Sequence, residues 1–206
     1  MPRDKTQTHE KLIPCIRQEF LRCGYEKASL KNIAREAGIT AAGLYRHFPN
    51  KQAMFAAMVE PVASEFLQNC QSSMEEVYQS LSDADFLNYF DHFRAKKNKE
   101  FISYMYDHYE VFRLLLVCSK GTPYENFECQ LIEIEQQSIL DLFSFLEKRG
   151  LPHNTVTDDE LLILCTTLVT AGCEAIRHEY TREQALHHMD FVGRLLYPGM
   201  KQVLGF

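Results

Sequence analysis

Gly24-Tyr-Glu-Lys-Ala-Ser-Leu-Lys-Asn-Ile-Ala-Arg-Glu-Ala-Gly-Ile-Thr-Ala-Ala-Gly-Leu-Tyr-Arg-His-Phe-Pro-Asn-Lys51 reads as two short helices joined by a tight turn. Ser29 is placed to cap the first, and Leu30, Ile33, Ala34 and Ala37 follow at the i, i+3, i+4, i+7 spacing of one apolar stripe, with Lys31, Asn32 and Arg35 outside it. Gly38 can take the left-handed conformation that closes a helix, and Thr40 can cap the second helix after a turn of helix-turn-helix length. That second helix, Ala41 to His47, offers Leu44 and Phe48 as buried anchors. Ala41, Ala42 and Gly43 are small enough for close approach to base edges in a major groove. Tyr45 and His47 can donate to phosphate oxygens, and Arg46 adds charge.

The same positions resemble a family. Gly24, Ile33-Ala34, Ala37-Gly38-Ile39, Leu44-Tyr45, His47-Phe48 and Lys51 are similar, in order and spacing, to the DNA-binding domain of the TetR family of bacterial transcriptional regulators. The resemblance implies an all-α homodimer with one DNA-binding head per subunit. It also implies binding to a palindromic double-stranded operator, and repression until a small ligand enters the C-terminal domain. Two departures stand out: Ala42 followed by Gly43 where the family often has glycine at the third recognition-helix position, and Pro14 inside the segment expected to be the first helix. Proline costs about 3 kcal/mol in a helix interior, so helix 1 is expected to start late or kink there.

The 206-residue chain is long enough for a sizeable core, and its net charge of −6 is unusual for a nucleic-acid binder. Its distribution resolves this. Residues 1–55 hold ten Lys or Arg and five Asp or Glu, a balance of +5, which leaves −11 on residues 56–206. A basic head on an acidic body suits a protein that meets phosphate at one end. The seven cysteines carry no C-x-x-C pair, which argues against a disulfide or zinc framework; Cys15, Cys23, Cys165 and Cys173 read as small core residues. Without a signal peptide or a bilayer-length apolar run, the expected compartment is a reducing bacterial cytoplasm, with no membrane partner.

The expected fold is all-α: a three-helix helix-turn-helix head at 1–52 and a larger helical ligand-binding and dimerisation domain at 53–206. A long helix from Lys51 to about Gln79, with a kink at Pro61, links the two and is the element able to relay a change between them. Ser82-Asp83 caps a helix holding Phe86, Tyr89, Phe90 and Phe93, and the charged run Arg94 to Glu100 reads as a loop or a solvated helix end. Phe101 to Cys118 is almost wholly apolar, Lys120 to Pro123 breaks the chain, and a long helix then runs to Arg149, closed by Gly150-Leu-Pro152. Capping boxes at Thr157 and Thr181 start two last helices, about 158–180 and 182–196, with a short tail after Pro198-Gly199.

Those last two helices carry more apolar surface than one core face needs. Leu161, Leu164, Leu168, Gly172, Leu186, Met189 and Leu196 are therefore expected at a dimer interface, with Gly172 in a patch where helices approach closely. For a ligand, 13 of the 24 aromatics lie between Phe86 and Phe145. Phe86, Tyr89, Phe93, Tyr104, Met105, His108, Tyr109, Phe112 and Phe127 are the expected lining of a site for an unidentified apolar or aromatic effector, set against the alternative that they form solid core. Asp107, His108, Glu110 and Arg113 are either its orienting polar groups or a wet face.

The DNA-binding set is Ser29, Lys31, Thr40, Ala41, Ala42, Gly43, Tyr45, Arg46, His47 and Lys51, the last on a phosphate at a helix start. His178, His187 and His188 lack metal-ligand spacing, and neither metal nor cofactor is expected. A small helical enzyme is the rival class, but Asp107-His108 is the nearest thing to a catalytic pair and adjacent helical side chains diverge. A ligand-independent DNA-binding activator is the other alternative.

Overall fold

The computed structural model describes residues 5–72 and 96–205, with side chains from Lys11 onward; all regular structure among them is helical. In chain order these are α1 (Lys5–Lys27), α2 (Leu30–Glu36), α3 (Ala41–Tyr45), α4 (Lys51–Ser72), α5 (96–107) and α6 (Tyr109–Arg113), which runs into a π-helical turn, Leu114–Cys118. Then follow α7 (Phe127–Arg149), α8 (Asp158–Arg177) and α9 (Arg182–Leu204). The expected cap at Ser82-Asp83 and the aromatics Phe86, Tyr89, Phe90 and Phe93 lie outside the described residues.

The chain groups into two compact units, residues 1–64 with 109–126, and residues 65–108 with 127–206. Phe112, Leu114 and Leu115 are fully buried, and the π-helical turn packs on α1, so an apolar stretch far along the sequence completes the core of the head. Leu12, Ile16 and Phe20 give α1 a fully buried stripe, with Phe20 edge-on to Phe55 of α4 at 5.2 Å.

Pro14 behaves differently from expectation. α1 already runs from Lys5 and continues through Pro14, and its one break in helical geometry comes at Gly24, with φ 73°. Pro14 lies on the solvent side while the inner stripe is buried, so packing outweighs the missing backbone donor. Pro61 likewise sits exposed inside an unbroken α4. Lys96 to Glu100 is helix, not loop; Glu100 takes salt bridges from Lys96 at 3.7 Å and Lys97 at 3.4 Å. The long helix α7 begins at Phe127, after turns that occupy 120–126.

In the second unit, Ile139, Leu142 and Leu146 of α7 pack with Leu161 and Cys165 of α8 and with Met200 and Leu204 of α9. Thr157 and Thr181 form complete capping boxes at the starts of α8 and α9. Where the sequence reads an end at 196, α9 continues through Pro198 to Leu204. It stops at Gly205, φ 92°, where Asn154 covers its end: the Asn154 amide nitrogen donates to Leu204 O at 2.8 Å and its side chain donates to Gln202 O and Val203 O. A Cβ on Gly205 would meet Asn154 N at 2.5 Å, so glycine is required there for space as well as for φ.

Candidate nucleic-acid interface and ligand cavity

Local chemistry builds the helix-turn-helix. The Ser29 hydroxyl accepts from Asn32 N at 3.4 Å and starts α2. α2 ends in a Schellman motif, with Ile39 N to Ala34 O at 2.9 Å, Gly38 N to Arg35 O at 3.1 Å, and Gly38 at φ 65°. The Thr40 hydroxyl then accepts from Gly43 N at 3.1 Å and starts α3. α3 is shorter than expected, closing at Tyr45 with Arg46 as its C-cap, and is held down by buried Leu44 and Phe48.

That anchoring turns Thr40, Ala41, Ala42, Tyr45 and Arg46 outward, with Tyr45 51% exposed; Gly43 and His47 are half-buried and Lys31 is exposed on α2. The described outer face of α3 is therefore small residues at its start and a phenol and a guanidinium at its end. Lys51 has an intramolecular place: its ammonium donates to Glu26 O at 3.1 Å and lies 4.8 Å over the Tyr25 ring, tying the start of α4 to the end of α1. Asn50 caps α4, accepting from Ala53 N at 2.7 Å.

Glu19, absent from the sequence-derived set, orders this head from beneath. Its buried carboxylate accepts from Arg22 at 2.6 Å, from the Ser29 amide at 2.9 Å and from Asn32 at 3.4 Å, joining α1 to the cap of α2. Burial pushes its pKa up, but the hydrogen bonds from Arg22, Ser29 and Asn32 outweigh burial and hold it below the usual 4.5. The folded value lies below the unfolded one, so the stabilisation is present above about pH 4.5 and is lost as pH falls through the folded pKa. Glu19→Gln is expected to cost about 1–2 kcal/mol at neutral pH and to flatten the acid limb of a stability-versus-pH curve. An acid limb identical to that of the parent would refute this. Glu19 lies on the buried stripe of α1, seven residues after Leu12 and three after Ile16, but its charge marks it as a solvent residue until the partners on α2 are known.

The sequence-derived ligand set separates. Met105 lines a cavity of about 120 Å³ in the second unit, walled also by Phe66, Phe101, Ile102, Leu131, Leu168, Gly172 and Met189, with Lys97, Asn98, Glu135 and Ser138 as its polar members. Tyr104 instead stacks on Phe66 at 5.4 Å and His108 leans on Tyr104 at 4.7 Å; burial, then the bond to Glu65, pushes the Tyr104 pKa up to about 12. Phe127 is core of the second unit, Phe112 is core of the first, and Tyr109 also falls in the first. The polar candidates disperse too: Asp107 pairs with Arg182 at 2.8 Å and Glu110 with Arg17 at 3.0 Å, and Asp107 and His108 diverge. Among the described residues no His, Cys, Asp or Glu group has the make-up of a metal site.

The expected dimer residues divide by burial. Leu161, Leu168 and Met189 are buried within the chain, Leu164, Leu186 and Leu196 are half-buried, and Gly172 faces Met189 Sδ, 3.8 Å from an added Cβ, at the cavity wall. The large apolar residues left exposed on the same two helices are Leu162 (46%), Ile163 (67%), Phe191 (53%), Leu195 (63%) and Val203 (48%). Of the expected core cysteines, Cys165 and Cys173 are buried, whereas Cys15 and Cys23 are half-buried; all seven cysteines are free thiols.

A capped helix-turn-helix with an exposed, small-to-polar second helix, on an otherwise helical chain, has the architecture of a DNA-binding head of the helix-turn-helix class. The family model for bacterial regulatory proteins of the tetR family matches residues 16–58. The head is therefore similar to the DNA-binding domains of that family. It is 36% identical over 59 residues to the nucleoid occlusion factor SlmA of Haemophilus influenzae and 29% identical over 72 residues to that of Shewanella frigidimarina. Those matches take in 29% and 35% of this chain and span only 27% and 36% of these relatives' lengths.

Among solved structures, NalD of Pseudomonas aeruginosa, the secondary repressor of the MexAB-OprM multidrug efflux pump, aligns over 98% of both chains, with 21% identity and a TM-score of 0.54. SmeT, the repressor of the Stenotrophomonas maltophilia multidrug efflux pump SmeDEF, aligns over 88% of this chain and 86% of its own, with 14% identity and a TM-score of 0.57. At these identities the alignments show a shared fold and nothing further. Among the described residues no helix is long and apolar enough to cross a membrane.

Proposed function

We propose that this chain is a ligand-responsive transcriptional repressor that binds a palindromic operator as a homodimer in the bacterial cytoplasm and is released by a small effector. The observation that carries the DNA part of this reading is the outward face of α3, Thr40 to Arg46, set on the buried anchors Leu44 and Phe48. One five-residue helix reads too few bases for specificity, so a two-fold pair is needed. The exposed apolar residues Leu162, Ile163, Phe191 and Leu195 supply a surface for a second copy on α8 and α9. The second-unit cavity supports the effector part, its wall being apolar with a few polar groups.

Binding to a palindromic duplex across a salt series tests the DNA assignment. Tyr45→Ala and Lys51→Ala are expected to weaken binding across sequences, and Lys51→Ala to flatten the salt slope by about one unit. Loss of the Glu26 tie would lower stability but leave the slope unchanged, so the slope separates a phosphate contact from a structural one. Parent-like affinity and slope in both variants at physiological salt would sink the assignment. A second reading, a DNA-binding factor that senses no ligand, draws on the head's similarity to nucleoid occlusion factors. Genome-wide footprints scattered over the chromosome and insensitive to metabolite extracts would favour it.

A further inference from the structure

Two cavities of the second unit share a wall. The inner one is the chamber of about 120 Å³ described above, and an outer one of about 540 Å³ adjoins it, with Asn98 and Met189 in the lining of both. The partition has few parts. Asn98 of α5 donates to the Tyr197 hydroxyl of α9, and the Tyr197 ring lies along its own helix because Gly193 carries no side chain; a Cβ there would stand 3.0 Å from that ring. Met189 completes the partition opposite Gly172 with an unbranched thioether, a side chain that repacks readily.

Volume sets how the two cavities are used. Small-molecule sites run to roughly 300–1,000 Å³, and an apolar cavity of roughly 150 Å³ is filled by benzene alone. The inner chamber therefore takes only a short apolar segment, while the outer cavity has room for the remainder of a molecule. Charge sets which end goes where. The described charged residues of the inner chamber are one of each sign, Lys97 and Glu135, and burial pushes the Cys70 and Cys173 thiols up to about 12, so sulfur adds no charge at neutral pH. The outer lining has Lys99, Arg194 and Lys201 against Asp190. Arg194 meets Asp190 through Nε at 3.4 Å, which leaves its terminal amino groups, with the Lys99 ammonium, as donors at an exposed rim. Even with Lys201 set aside, one positive charge remains in excess there, the complement of a monoanion.

We propose that the two cavities form one bipartite site for an amphiphilic carboxylate, its apolar tail passing Met189 into the inner chamber and its head held by Lys99 and Arg194; this rests on the reading of the inner chamber as the effector site. Calorimetric titration of the full-length protein with octanoate, 1-octanol and octylammonium, three probes of one tail length, reads the head. Octanoate is expected to bind at least about tenfold tighter than 1-octanol, with octylammonium weakest. Butyrate, hexanoate and octanoate read the tail, with affinity rising about fourfold per added methylene as the chain enters the chamber. Lys99→Gln alters an exposed side chain and is expected to lower octanoate affinity about threefold while leaving 1-octanol at its parent value. Gly172→Leu, which fills the chamber from α8, is expected to flatten the chain-length series.

Equal or tighter binding of 1-octanol or octylammonium, an affinity independent of chain length, parent-like octanoate binding in Lys99→Gln, or no binding by any probe would overturn the proposal. Operator binding, followed in the same samples, separates the two layers of inference. An octanoate preference that depends on Lys99 but leaves operator affinity unchanged would refute the effector reading alone, whereas operator release by octylammonium with no response to octanoate would refute the carboxylate preference alone.

Discussion

Leu195→Glu combined with Phe191→Glu is expected to convert a dimer into a folded monomer and to lower operator affinity by two orders of magnitude or more. Both residues are more than half exposed in the isolated chain and lie one helical turn apart on α9, so charge at these positions costs the subunit's own fold about 0.5 kcal/mol or less apiece. In a two-fold interface the same change buries four carboxylates without partners, each worth several kcal/mol. Loss of the partner halves the base and phosphate contacts, which is why operator binding falls so far. Sedimentation, a thermal melt and operator titration on one preparation check it. A monomeric parent at micromolar concentration, or a double variant that stays dimeric, would refute this use of the surface.

Leu44→Ala carries the next largest effect. Leu44 is fully buried and is the only buried residue within the five-residue α3. A helix that short has no stability of its own in water, so its position depends on Leu44, Phe48 and the Thr40 cap. Removing the side chain is expected to cost about 3 kcal/mol, borne by the first unit. Operator affinity should then fall with the fraction of properly folded heads, and fall further on warming, while the salt slope stays that of the parent because no charge has changed. A variant whose affinity drops equally at all temperatures below the melt would show that Leu44 acts on DNA geometry rather than on stability.

Leu161, Leu168 and Met189, expected at an interface, are buried within their own chain, and the pattern could not tell the two apart. On α8 the run Leu161-Leu162-Ile163-Leu164 is apolar on all sides, and hydrophobicity alone does not say which side meets α7 and which meets solvent. The structure turns Leu161 toward Ile139 and Met200 and leaves Ile163 two-thirds exposed. The aromatic segment from Tyr104 to Phe112 is left open by its sequence in a similar way. It divides between two compact units, and only packing partners far away in sequence assign each ring to a core, a stack or a cavity wall.

What the sequence by itself determined is whatever short-range chemistry controls. Ser29, Thr40, Thr157 and Thr181 start helices because their hydroxyls reach an amide three residues on, and Gly38 and Gly150 end helices because each takes a left-handed φ. The two anchors of the recognition helix and the all-helical class follow from periodicity on the same scale. Only the tertiary structure decided the rest: the burial of Glu19 under α2, the passage of helices through Pro14 and Pro198, the joining of residues 109–126 to the head, and the placing of Glu135 in a cavity wall. Each of these turns on contacts between residues distant in the chain. Their energies of a few kcal/mol exceed the local preferences that a sequence pattern expresses.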